Sequence, residues 1–115
     1  MPNAPKTAGV SWVVGPARRI GTVMSATFDD KGVLKVEIAC NYTDGSHYSL
    51  TFSNQRSQLE YSGSWSSNDL NRSSGYVDVK LKPGSNGGYL MSGNWHQYGE
   101  TQTWETTEVA IAGRA

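Results

Sequence analysis

The side chains of this chain that could act in catalysis or metal binding are few and lie far apart. Its two histidines, His47 and His96, are too few for a histidine-rich metal site. His96 follows Trp95, and successive side chains of a strand point to opposite faces, so His96 is expected on the outer surface near a strand end. Contact with a ligand at the mouth of the fold is its alternative role.

No enzyme signature accompanies these residues. The nucleophile elbow, the phosphate-binding loop and the dinucleotide fingerprint are absent from the sequence. Cys40 lies among apolar residues, where a thiol behaves as a small hydrophobic side chain. Glu100, Glu105 and Glu108 are expected to be solubilising surface charges. We therefore predict a protein that is not an enzyme and has no metal and no cofactor.

Aromatic residues recur with glycine in two similar stretches, "LEYSGSW" (59–65) and "YLMSGNW" (89–95). In each stretch a large residue, a glycine and a tryptophan occupy alternating positions and so share one face of a strand. Glycine is unfavourable in a flat strand, so its recurrence indicates a bend whose vacated space is filled by an indole from a neighbouring strand. This pattern is typical of a short sheet that curls until it closes.

Alternation also directs many rings inward, with few aliphatic residues expected between them. Phenol and indole groups carry polar atoms that need partners when buried, which favours a small-ligand pocket over a dry core. Arg72 lies in the longest predicted loop, Ser66–Gly75, where a guanidinium could meet an anionic group. The predicted ligand-binding residues are Tyr61, Trp65, Arg72, Tyr89, Trp95, His96 and Trp104.

The elements that must position these side chains are strands. In "VLKVEIACNY" (33–42) and "HYSLTF" (47–52) apolar and polar residues alternate. A two-residue turn at Asp44-Gly45 would place the two apolar faces on opposite sides, so we predict an odd-numbered loop that pairs Tyr42 with Tyr48 and Cys40 with Leu50.

Turn signals separate about eight such strands along the whole chain. We predict an all-β fold, a single antiparallel up-and-down barrel spanning residues 10–112 that follows a disordered N-terminal segment at 1–9. A barrel of about eight strands is wide enough either to be filled by side chains or to hold one small ligand.

Composition narrows the function classes. The 115 residues carry ten basic and ten acidic side chains, so duplex nucleic acid is an unexpected partner. A single cysteine excludes a disulfide framework and favours a reducing compartment. "MPNAPKTAG" (1–9) has no signal-peptide pattern and no window is apolar enough for a membrane span, so we expect a cytoplasmic protein, or a periplasmic or secreted one if a signal was trimmed.

The Ser-Gly-X-Trp strands resemble the avidin and lipocalin type of small antiparallel barrel. "MSGNW" (91–95) leads to Trp104 in an arrangement similar to that of avidins, and "GVSW" (9–12) resembles the opening Gly and Trp of lipocalins. The resemblance implies a calycin-like barrel that encloses a small ligand. The residues that would bind biotin cannot be matched, so biotin is not implied.

We therefore expect a non-enzymatic barrel that binds one small molecule, such as a nucleotide-like or polar aromatic compound. The alternative is a lectin or protein-inhibitor module that binds through exposed aromatic residues and loops. A homo-oligomer is left open by the sequence.

Overall fold

The computed structural model describes residues 4–14, 17–40, 47–68, 74–97 and 100–113. Their fold is all-β, as predicted. Side chains alternate between buried and exposed along the strands, most regularly in β3, because the apolar residues recur at every second position. The strands are β1 (Ala8–Val14), β2 (Ala17–Phe28), β3 (Leu34–Cys40), β4 (His47–Ser57), β5 (Glu60–Ser67), β6 (Ser74–Pro83), β7 (Tyr89–Gln97) and β8 (Glu100–Thr106).

The strands form a closed antiparallel barrel in which each pairs with the next along the chain. β8 returns to β1 and closes the wall through the pairs from Val10–Thr106 to Trp12–Trp104. This confirms the predicted up-and-down barrel. Closure leaves no unpaired sheet edge, which removes the usual template for edge-to-edge aggregation.

The register between β3 and β4 differs from the predicted one. Tyr48 pairs with Ile38 and Leu50 pairs with Val36, four residues earlier in β3 than we predicted for each partner. The connection is still odd-numbered, so both apolar faces point inward as expected. Tyr42 and the turn at Asp44-Gly45 lie outside the described residues.

The two ends of the barrel are built differently. At one end, called the tail end, the segment 107–113 crosses the strands: Phe28 N donates to Ala112 O at 2.8 Å, and Tyr89 and Val109 exchange backbone hydrogen bonds at 2.9 Å. Ala110 N donates to Pro5 O at 2.7 Å, and β1 begins at Ala8, before the predicted start of the barrel. At the other end, called the loop end, β1, β3, β5 and β7 finish and β2, β4, β6 and β8 begin.

The interior contains more aliphatic side chains than the sequence led us to expect. β3 and β6 place a branched residue at most of their inward positions, and these fill the space between the rings. The fully buried aliphatic side chains include Leu34, Val36, Ile38, Leu50, Val77 and Leu81.

Among these described residues, no helix is long and apolar enough to cross a membrane.

Candidate functional site

The indoles of the interior are held by a repeated arrangement with glycine. Trp104 of β8 lies opposite Gly93 of β7, and its Nε1 donates to Asp78 O of β6 at 3.0 Å. The indole therefore crosses the glycine to reach the next strand. A methyl group at Gly93 would lie 2.1 Å from Asp78 O, so only glycine allows this close approach. The predicted filling of a glycine site by a neighbouring indole is present here.

Trp65 repeats the arrangement one strand pair away. It lies opposite Gly75 of β6, and its Nε1 donates to His96 O of β7 at 2.9 Å. A methyl group at Gly75 would lie 2.3 Å from His96 O and 2.7 Å from Trp65 Nε1. Both indoles thus satisfy their only polar atom across an inward glycine.

Trp95 lacks this partner. It lies opposite Gln102 rather than a glycine, is only 1% exposed, and its buried Nε1 has no hydrogen-bond acceptor within the described part of the chain. Gln102 is 7% exposed, and its Oε1 is likewise buried without a donor. Two adjacent inward residues therefore present one unmatched donor and one unmatched acceptor.

A third unmatched polar atom lies at the same end of the barrel. Ser67, the last residue of β5, pairs with Tyr48 near the start of β4, and its Oγ is buried without a partner in the described chain. Buried polar groups are hydrogen-bonded in the great majority of cases, so three exceptions at one end of a barrel call for an explanation.

An aromatic layer supports these polar groups. Tyr48 packs edge-on against Trp12, Trp65 and Trp95, with ring centroids 5.7, 5.9 and 5.5 Å apart. Trp12 stacks on Trp95 at 6.2 Å with an interplanar angle of 12°. Because each ring is locked by its neighbours, the polar atoms around them are held in fixed positions.

The structure divides the predicted site residues among separate regions. Trp65 and Trp95 lie together near the loop end, with centroids 4.8 Å apart, and Trp104 lies 6.5 Å from Trp95 toward the middle of the barrel. Tyr61, the second residue of β5, and Tyr89, the first of β7, lie at the tail end, where Tyr61 packs on Phe28 and Tyr89 bridges to Val109. These two tyrosines are thus not near the tryptophans of the loop end.

His96, one of the two polar residues predicted at the mouth, does not join this layer. His96 shares the outer wall with Thr101, whose Oγ1 lies 3.1 Å from His96 Nδ1, and packs against Tyr76. This agrees with the alternation argument that directed it outward. Arg72 lies outside the described residues.

Sequence reasoning overlooked Gln102 and Ser67. The signal for Gln102 was present, since "TQTW" (101–104) alternates and places it on the same face as Trp104. Ser67 falls in the predicted loop Ser66–Gly75, because the predicted strand ends at Trp65; its position two residues after Trp65 is the only sequence signal for the inward face.

The charged groups that border an outer depression, by contrast, have partners. A depression of about 410 Å³ on the outer wall is bordered by several charged residues, but Lys80 Nζ lies 3.5 Å from Glu60 Oε1 and Asp78 Oδ1 accepts from Asn94 N at 2.9 Å. No group of three metal-ligating side chains occurs within the described ranges. Unmatched buried polar groups therefore distinguish the loop end from this outer depression.

Comparison of the chain with known proteins gives no significant match among family models, curated proteins or solved structures.

Proposed function

We propose that this chain is a non-enzymatic barrel that binds one small molecule at its loop end, in the manner of a calycin-like avidin or lipocalin. The observation that carries the proposal is the pair of unmatched polar atoms on Trp95 and Gln102, with Ser67 Oγ at the same end. All three lie in or beside a layer of aromatic rings.

The free-energy cost of burying these atoms without hydrogen-bond partners supports the proposal. A buried donor or acceptor without a partner costs about 1–3 kcal/mol, because it has lost water and gained nothing in return. A ligand that supplies an acceptor to Trp95 and a donor to Gln102 recovers that cost on binding. Since both atoms are buried, entry of a ligand must displace the groups that cover them.

The chemistry of the lining defines the class of ligand. Indole and phenol rings offer flat apolar surfaces, and the three polar atoms lie around these surfaces. A small planar molecule with both donor and acceptor atoms on its edge fits this combination, as a nucleotide-like or other polar aromatic compound does. Purely apolar compounds would leave the polar atoms unmatched.

The variant Gln102→Met tests the proposal. Methionine keeps the length of the side chain but removes the unmatched oxygen, so the ligand-free protein is expected to gain about 1 kcal/mol of unfolding free energy while ligand affinity falls. Unfolding is measured in urea. Binding is measured by native mass spectrometry of the purified protein and by quenching of tryptophan fluorescence against a metabolite library.

Thr106→Val provides the matched control. Thr106 is a buried polar residue on the same strand, but its Oγ1 accepts from Met91 N at 3.1 Å. This substitution is expected to destabilise the barrel and leave ligand binding intact. If Gln102→Met destabilises as much as the control, or if the library yields no bound compound, the proposal is wrong.

A second candidate function has one observation in its favour. Tyr76 is 41% exposed on the outer wall, and its hydroxyl accepts from Arg56 Nη1 at 3.3 Å. A flat exposed ring beside polar groups suits the stacking of a sugar, as in a lectin. Binding on a glycan array that is lost in Tyr76→Ala, without capture of any small molecule, would favour this alternative.

A further inference from the structure

Two adjacent arginines at the loop end lie on opposite faces of β2. Arg18 is on the outer wall: its Nη1 donates to Ser11 Oγ at 3.1 Å and lies 3.9 Å from Glu105 Oε1, with 62% of the side chain exposed. Arg19 pairs directly with Trp12 of β1. Residues directly opposite each other in an antiparallel pair share a face, so Arg19 is on the inward face with Trp12.

Arg19 has no ion pair and no hydrogen bond to any residue in the described part of the chain, although it is partly buried. The other inward side chains described at this end are uncharged. A guanidinium stays protonated in proteins, so it cannot relieve its burial by losing the charge. The uncharged inward side chains described at this end are Trp12, Cys40, Tyr48, Trp65, Ser67, Trp95 and Gln102.

Trp12 of the aromatic layer connects the position of Arg19 to the unmatched polar atoms. Trp12, the partner of Arg19, stacks on Trp95, whose Nε1 lacks an acceptor. Within the described residues, the loop end therefore combines a guanidinium without a partner, a flat ring surface, an unmatched indole donor and an unmatched amide acceptor.

We propose that the ligand carries a carboxylate that binds Arg19, while its planar body contacts Trp95 and Gln102. This inference rests on the proposed function and specifies its ligand class. The planar guanidinium presents two parallel N–H groups that match the two oxygens of a carboxylate. A phosphate monoester carries close to two negative charges near neutral pH, whereas the described inward side chains supply a single positive charge. A monoanionic carboxylate is therefore the better match.

The test uses matched acid and amide probes: nicotinate and nicotinamide, benzoate and benzamide, indole-3-acetate and indole-3-acetamide. Each pair has the same ring and differs in the charge that Arg19 would recognise. Binding is followed in ¹H–¹⁵N spectra through the indole N–H resonances of the four tryptophans, with Trp95 assigned from Trp95→Phe. At least one acid is expected to bind about tenfold or more tightly than its amide and to shift the Trp95 resonance.

Arg19→Gln is expected to abolish the preference for the acid, while Arg18→Gln, one residue away on the outer wall, keeps it. Arg19→Lys retains the charge without the planar fork and is expected to keep part of the preference. The dispersion of the indole resonances reports whether Arg19→Gln is folded. If it is not, Arg19→Lys takes its place in the comparison.

If no acid binds more tightly than its amide in any of the three pairs, or if the Arg18 and Arg19 variants lose the preference equally, the carboxylate inference is overturned. The proposed function survives that result if the amide still requires Gln102. If the ligand identified by native mass spectrometry is a neutral compound, the carboxylate inference also fails and the proposed function stands.

Discussion

Three of the buried indoles, those of Trp65, Trp95 and Trp104, differ in the hydrogen bonding of Nε1. Nε1 of Trp65 and of Trp104 each donates to a backbone carbonyl two strands away, whereas Nε1 of Trp95 has no acceptor in the described chain. All three rings are almost fully buried, so their packing is similar and their hydrogen bonding is not. Residue-scale measurements can therefore separate a structural indole from one that is available to a ligand.

Replacing each of these tryptophans by phenylalanine removes Nε1 and keeps an aromatic ring. Trp65→Phe and Trp104→Phe leave a carbonyl unpaired, so each is expected to lose roughly 1 kcal/mol more unfolding free energy than Trp95→Phe. Urea denaturation followed by circular dichroism measures the difference. Equal losses in all three variants would contradict the assignment of Trp95 as the unmatched donor.

At the scale of the strand, glycine decides how closely neighbouring strands and indoles approach. Gly93 lies under Trp104 and against the backbone of Asp78, whereas Gly9 of β1 has open space where a side chain would begin. The same residue type therefore has different roles in different strands, depending on what faces it.

Gly93→Ala and Gly9→Ala form a matched pair that measures this difference. The methyl group at Gly93 would lie 2.1 Å from Asp78 O, a backbone atom that cannot move aside without displacing β6. We expect Gly93→Ala to destabilise by about 1–3 kcal/mol or more, and Gly9→Ala to be near neutral or slightly stabilising. Thermal unfolding of both variants checks the order, and a tolerant Gly93 would contradict the close approach.

The turn between β2 and β3 makes the stability of the barrel depend on pH. Hydrogen bonds from the backbone N–H groups of Val33, at 3.0 Å, and Lys31, at 2.8 Å, hold the pKa of Asp29 below its usual value. A lowered pKa in the folded state means that this carboxylate stabilises the fold above about pH 3.9, the ordinary pKa of Asp, and that the contribution is lost as the pH falls through the folded-state value.

Asp29→Asn is expected to lower the free energy of unfolding at neutral pH. Below about pH 4 the variant is expected to lose less stability with falling pH than the wild type does. Asp30→Asn is the control, since the neighbouring Asp30 does not accept these two hydrogen bonds. Unfolding midpoints measured at a series of pH values test the comparison. An identical pH profile for wild type and Asp29→Asn would contradict it.

Closure of the barrel depends on the junction between its first and last strands. The other neighbouring strands are joined by short connections along the chain, but β1 and β8 come from opposite ends of the sequence. Their ladder runs only from Val10–Thr106 to Trp12–Trp104, whereas that of β5 and β6 runs from Glu60–Lys80 to Ser66–Ser74. Bringing distant segments together costs the most chain entropy, so we expect this junction to be the weakest part of the wall.

Hydrogen exchange is therefore expected to be faster in β1 and β8 than in β5 and β6. A disulfide between Ser11→Cys and Glu105→Cys, which are register partners on the outer wall, is expected to slow exchange in both end strands. Mass spectrometry of peptides from the exchanged protein measures the rates. Uniform exchange across all eight strands would contradict a weak junction.

The sequence by itself determined the approximate number of strands, the inward face of regularly alternating strands such as β3, and the packing of indoles over glycines. These properties follow from residue types at alternating positions, and each strand carries that information locally. The buried face of β3 and the placement of His96 on the outer wall could both be predicted in this way.

Only the tertiary structure decided the register of β3 and β4, the end of the barrel at which each ring lies, and which indole lacks a partner. The predicted and observed registers differ by four residues, and an even shift leaves every side chain on the same face. The hydrophobic pattern therefore fits both equally well. The separation of Tyr61 from Trp95 and the position of Arg19 beside Trp12 both depend on pairing between strands. Alternation within one strand does not specify them.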